Sequence, residues 1–155
     1  MKISAQEEYG LRCLLQLARA ERDQIVSVKE IAGKEGLSGA YVEKLLRVLA
    51  RAGLVHSVRG VRGGYVLNRP ASQVTLGEVV RSLGTIQTTD HICRQFTGNQ
   101  DICVHFSDCG IRSVWAGLTG YIQSFLDQTT LESLLESEYA VSDRLAKRWR
   151  GMSTS

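Results

Sequence analysis

No stretch of this 155-residue chain reaches the ~18 consecutive apolar residues that a bilayer span requires. The start Met1-Lys2-Ile3-Ser4 runs into charge instead of a signal-peptide apolar core, so a cytoplasmic protein with no membrane partner is expected. Internal repeats and low-complexity runs are missing as well. So are nucleotide fingerprints, catalytic triads and substrate-pocket motifs, which argues against an enzyme. Proline occurs once and aromatic residues make up only 6% of the chain, yet 43% of it is hydrophobic. That composition excludes disorder for most of the length, and a chain of this size buries roughly 70% of the surface its unfolded form exposes. The four cysteines are enough for two disulfides, but a reducing compartment keeps thiols free, so their clustering points first to metal or redox chemistry.

Charge is divided unevenly. Residues 1–84 hold 13 Lys and Arg against 8 Asp and Glu, residues 85–143 hold 2 against 8, and residues 144–155 add four cations without an acid. A basic first part favours a polyanion.

From about Ile3 to Ala20 the apolar residues Leu11, Leu14, Leu15, Leu17 and Ala18 recur at helical spacing, with Cys13 read as a small core hydrophobe among them. Ser27-Val28-Lys29-Glu30 has the pattern of a capping box and starts a second helix that stops at Gly36. Ser38 caps a third, in which Val42, Leu45, Leu46 and Leu49 form an i, i+3, i+4, i+7 stripe ended by Gly53. Two short helices joined by about two residues make a helix-turn-helix. If the stripe faces inward, Ala40, Lys44, Arg47 and Arg51 lie opposite it, flanked by Tyr41 and Glu43. Leu54 to Val58 then reads as a strand, Arg59-Gly60-Val61-Arg62-Gly63-Gly64 as a glycine-rich turn and Tyr65-Val66-Leu67 as the returning strand. Together these elements predict a winged helix.

An α-helix fits the major groove of duplex DNA, where Lys and Arg reach guanine and Glu accepts from cytosine. The expected DNA-binding residues are therefore Ser38, Ala40, Tyr41, Glu43, Lys44 and Arg47 on the third helix, with Arg59 and Arg62 of the hairpin turn against phosphate or the minor groove. Glu43 also stands i, i+4 from Arg47, which makes an ion pair between them an equal alternative.

Thr75-Leu76-Gly77-Glu78 starts a short helix through Val79, Val80 and Leu83. Residues 85–109 lose all periodicity and carry Cys93, Cys103 and Cys109; a loop of about 25 residues in a compact domain is commonly functional. The spacing C-x9-C-x5-C matches neither zinc ribbons nor ferredoxins, but three soft thiolates in a short stretch suit zinc or an iron-sulfur cluster. His91 and His105 are nearby candidates for a fourth ligand. Downstream, Ile111, Val114, Trp115, Leu118, Tyr121, Ile122, Phe125 and Leu126 are too many apolar positions for one stripe, so this helix is expected to bury a second side in a two-fold homodimer. Thr129-Thr130-Leu131-Glu132 reads as a further capping box, for a brief helix to Leu135.

The expected fold is thus mainly α with a small β-hairpin: a winged helix-turn-helix at 1–84, a cysteine loop at 85–109, a dimerisation helix with a short following helix at 110–136, and a basic tail at 137–155.

The combination of Met1-Lys2-Ile3-Ser4 with Tyr9, Ser38-Gly39-Ala40-Tyr41-Val42-Glu43-Lys44-Leu45-Leu46, Gly53-Leu54-Val55, Ser57-Val58-Arg59-Gly60, Gly63-Gly64-Tyr65 and the three cysteines resembles the Rrf2 family of bacterial transcription regulators to about residue 135. The resemblance implies a homodimer on a pseudo-palindromic double-stranded operator, here expected to act as a repressor. It also implies an iron-sulfur cluster, [2Fe-2S] or [4Fe-4S], on Cys93, Cys103 and Cys109, whose state reports redox conditions, iron, nitric oxide or iron-sulfur status. One branch places a histidine three residues after the last cysteine; here that residue is Arg112, which cannot ligate. In other branches an acidic residue of the partner's first helix completes the site, and Glu8 holds that position, ahead of His105, His91 and Glu7. Glu8 also stands i, i+4 from Arg12, so a plain surface ion pair competes with ligation. A structural zinc in a winged-helix regulator is the alternative, and an iron-sulfur electron carrier a more distant one.

Overall fold

The computed structural model describes residues 3–84 and 89–152; Met1-Lys2 of the opening motif, residues 85–88 of the cysteine loop and the last three residues of the tail lie outside them. Helix α1 (Ala5–Arg19) starts from a reciprocal cap, in which the Ser4 side chain accepts from the Glu7 amide and the Glu7 carboxylate accepts from the Ser4 amide. Helix α2 (Val28–Glu35) is capped by Ser27, which accepts from the Glu30 amide at 3.1 Å. The expected second half of that box does not form, because the Glu30 carboxylate accepts from Lys34 Nζ at 2.8 Å instead. Gly36 ends α2 at φ 66°, a left-handed turn that glycine adopts without strain, and helix α3 (Gly39–Arg51) follows from its Ser38 cap.

The stripe on α3 faces inward as its periodicity requires. Val42, Leu45, Leu46 and Leu49 are fully buried together with Leu14 of α1 and Ile31 of α2. Each such side chain contributes about 1.5–3 kcal/mol relative to exposure. Strands β1 (Val55–Val58) and β2 (Gly64–Leu67) pair antiparallel, with Val55 opposite Leu67 and Val58 opposite Gly64. A single bridge between Val26 and Tyr65 adds the segment before α2 to this sheet. After a 3-10 turn (Ala71–Gln73), helix α4 (Leu76–Leu83) forms the full Thr75–Glu78 capping box and packs on α1, α3 and the later helix α6 (Gly110–Asp127).

Three features correct the sequence reading. Residues 89–95 of the expected loop form a short helix, α5 (Thr89–Gln95), that packs on α6. Downstream of α6 the expected capping box is missing: the Thr130 hydroxyl accepts from the Ser133 amide, Thr129 donates back to the Phe125 carbonyl, and only a 3-10 turn (Glu132–Leu134) without a side-chain cap results. The supposed tail holds a 15-residue helix, α7 (Glu138–Met152). The segment after α6 also returns to the winged-helix core: Thr75 bridges Thr130, and Leu131 is fully buried.

Helix α6 has no fully buried residue. Ile122, Gln123 and Leu126 line its half-buried side, whereas Ile111, Val114, Trp115, Leu118, Tyr121 and Phe125 are exposed, Tyr121 at 70%. The helix carries two apolar sides as expected, and this chain covers only one of them.

Candidate nucleic-acid interface and cysteine segment

On α3 the side opposite the core presents Ala40, Glu43, Lys44, Arg47 and Arg51 along one shallow polar groove. Arg47 Nη2 donates to Glu43 Oε1 at 2.6 Å, so the i, i+4 pair forms in the free protein. The Glu43 carboxylate raises the Arg47 guanidinium above its ordinary range, and the Tyr65 hydroxyl of β2 adds a smaller push in the same direction. Arg47 therefore stays cationic at any physiological pH. Ser38 spends its hydroxyl oxygen on the Tyr41 amide at 3.3 Å while staying exposed, as a cap at a helix entrance does.

The hairpin turn is tightened by the Gly63 amide donating to the Gly60 carbonyl at 2.9 Å, and Gly60 adopts φ 124°, a value that a side chain would strain. Arg59 and Arg62 are both exposed on this turn, beside a fully exposed Val61. Of the eight sequence-predicted DNA residues, Ala40, Glu43, Lys44 and Arg47 share the outer face of α3, Ser38 caps its start, and Arg59 and Arg62 lie on the wing, whereas Tyr41 is half-buried and packs toward α1. A helix face rich in cations, with a basic loop beside it, complements a groove flanked by phosphates.

Helix α1 is tied to this reading head by two contacts that sequence reasoning missed. Arg12 Nε donates to Glu35 Oε2 of α2 at 2.6 Å, and Gln16 bonds the other oxygen of the same carboxylate, which is 8% exposed. Glu35 sits in the last turn of α2, where the helix dipole disfavours an anion; that placement is the one local sign that it needs a cation from elsewhere. The Tyr9 ring meets Tyr41 of α3 edge-on, with centroids 6.1 Å apart, and the Arg12 guanidinium lies 5.3 Å over Tyr9. The alternative pairing of Glu8 with Arg12 is corrected accordingly: Arg12 is committed to Glu35, and Glu8 remains exposed.

All four cysteines are free thiols. Cys13 is buried in the α1 core, where desolvation pushes its thiol up to about 11, so it is an inert hydrophobe, as the leucines around it suggest. Cys93 lies on α5, Cys103 in the following loop and Cys109 at the N-cap of α6; all three are half-buried. Among the described residues, no three His, Cys, Asp or Glu side chains are gathered closely enough to hold a metal ion. The chemistry of the donor set still fits a soft metal centre: three unpaired thiols from one segment, each within reach of solvent. Between Cys103 and Cys109 the chain is held by Arg112, whose Nη2 donates to the carbonyls of His105 and Phe106 at 3.3 and 2.6 Å. Its Nε is buried without an acceptor. This orphaned donor lies on the side chain that fastens the segment between the two cysteines. His105 is exposed, and the Glu7 carboxylate is occupied by the α1 cap, which leaves Glu8 the freer of the two acids.

The Rrf2 family model, described as an iron-dependent transcriptional regulator, matches residues 3–137. The chain belongs to the Rrf2 family. It is 33% identical over 135 residues to the protein Rrf2 of Nitratidesulfovibrio vulgaris, covering 87% of each chain. To the HTH-type transcriptional regulator IscR of Cereibacter sphaeroides it is 31% identical over 140 residues, 89% of each. Its structure is similar to that of CymR, the global cysteine regulator of B. subtilis, with a TM-score of 0.70 and 33% identity over 87% of this chain and 96% of CymR. This Rrf2 member is accordingly a winged-helix DNA-binding transcriptional regulator, and not an enzyme. Among the described residues no helix is long and apolar enough to cross a membrane. Helix α7 lies beyond the residues matched by the family model.

Proposed function

We propose that this chain is a homodimeric, cytoplasmic repressor whose affinity for a pseudo-palindromic operator depends on an iron-sulfur cluster held by Cys93, Cys103 and Cys109, with the partner subunit's Glu8 as fourth ligand. The observation that carries the cluster reading is the set of three free, half-buried thiols in one segment. When bound, such a cluster supplies a charge and a ligand demand that change with iron supply and redox state. The unpartnered α6 side, with Leu118 at 47% and Tyr121 at 70% exposure, supports a second copy as its cover, and a two-fold pair presents two α3 helices to two half-sites. The reading face is then Ser38, Ala40, Tyr41, Glu43, Lys44 and Arg47, with Arg59 and Arg62 on phosphate.

Coupling follows from the contacts of α1. If Glu8 held the group, its pull would fall on α1, which touches α3 through Tyr9–Tyr41 and grips α2 through Arg12–Glu35. A shift of α1 therefore reorients the helix-turn-helix, and a coupling of ~1–3 kcal/mol corresponds to about 5- to 150-fold in DNA affinity.

The likeness to CymR, the global cysteine regulator, together with the ungathered thiols, favours a second reading in which the regulator holds no cluster, or a colourless zinc. Protein purified without oxygen decides between them. Visible absorbance with stoichiometric iron and sulfide, lost in Cys103→Ala while the dimer persists, is the expected result. Colourless wild-type protein free of iron and sulfide would remove the cluster reading and leave the DNA-binding one standing.

A further inference from the structure

Arg112 occupies a position in the first turn of α6 from which it reaches back across the cysteine segment. Its Nη2 holds two successive carbonyls, those of His105 and Phe106, and its guanidinium lies 5.4 Å over the Phe106 ring. The Phe106 amide in turn donates to the Cys103 carbonyl at 3.0 Å, closing a turn that begins at one thiol, and the Arg112 amide donates to the Cys109 carbonyl at 3.1 Å. One side chain thus fastens the Cys103 turn to the helix that Cys109 caps.

We propose that Arg112 is the positioning residue of the cysteine site: by tying the turn that begins at Cys103 to the first turn of α6, it holds the segment between Cys103 and Cys109 in the conformation from which those thiols would take up a cluster. This inference rests on the cluster reading above. It adds a role for a residue that cannot ligate: an outer residue that fixes the segment carrying the ligands would slow loss of the metal.

The test compares wild type, Arg112→Lys and Arg112→Ala on the full chain. In the metal-free protein, amide hydrogen exchange at residues 103–109 should quicken in both variants, most in Arg112→Ala, while exchange in α3 stays unchanged. In the cluster-loaded protein, bleaching by an iron chelator should be about 10- to 100-fold faster in Arg112→Ala, and faster than wild type but slower than Arg112→Ala in Arg112→Lys, which keeps the charge but not the guanidinium. Quicker exchange with unaltered bleaching would reduce Arg112 to a structural clamp and overturn the proposal; unaltered exchange would overturn it as well. If wild type itself holds no iron, the cluster reading and this proposal fall together. If wild type is loaded and the variants match it, only this proposal falls.

Discussion

Substituting Lys44 by alanine separates folding from DNA binding more cleanly than any other change on the recognition helix. Lys44 is exposed in the middle of α3, on the face opposite four fully buried aliphatic residues, and the described ion pairs do not include it. Its loss should therefore change unfolding free energy by no more than about 0.5 kcal/mol, the usual range for such a surface site. The effect on DNA is worked from charge. Each neutralised phosphate contributes about 0.9 to the slope of log affinity against log salt, so removing one contact per protomer lowers the slope of a dimer by about 1.8. Between 50 and 200 mM salt, a wild-type dimer should then lose about ten-fold more affinity than the variant. Fluorescence anisotropy on a random-sequence duplex suffices, because this part of binding is independent of sequence. On an operator, the loss of a guanine contact would add about 1–3 kcal/mol per half-site, roughly 5- to 150-fold. A slope that stays at the wild-type value while the melting temperature is also unchanged would refute the assignment of this face to DNA.

Leu131→Ala should cost about 2–5 kcal/mol in urea unfolding, because the side chain is fully buried against the winged helix although it follows α6 in sequence. Leu118→Asp places a charge on the exposed side of α6; sedimentation should show a monomer with unchanged far-UV circular dichroism, and a persisting dimer would point to another interface. The Glu78 carboxylate is held below its ordinary range by the Thr75 amide and then by Arg69. Its stabilisation is present above the ordinary carboxylate range near ~4.3 and is lost as pH falls through the depressed folded value. The stability gap between wild type and Glu78→Gln should therefore narrow on acidification from pH 6 to pH 3, and a gap that widened would contradict the cause given.

Helices α1 to α4 and the hairpin were legible because each combines a strong apolar period with a capping serine or threonine or a glycine stop. The outer face of α3 followed from rotation alone once its stripe was placed, and Glu43–Arg47 followed from spacing. Helix α5 escaped notice because TDHICRQ offers Ile92 and little else to mark a period. Helix α7 is sparse as well: Val141 and Leu145 face a shallow cavity against Phe125, Tyr139 and Trp149 are exposed, and the helix is held by the Ser137 cap and the Asp143–Lys147 pair at 2.7 Å. What no local pattern carries is contact between distant segments. Arg12 finding Glu35 and Tyr9 meeting Tyr41 depend on how α1 crosses the helix-turn-helix. The cysteine segment was legible as chemistry but not as geometry: the sequence names the thiols, while the arginine that ties the chain between Cys103 and Cys109 to α6 is visible only in the fold.

The central claim is that operator affinity follows the state of the cysteine segment. Cluster-loaded and metal-free protein, each titrated onto one operator fragment at one salt concentration without oxygen, should differ in affinity by about 5- to 150-fold. Two superimposable binding curves would contradict it.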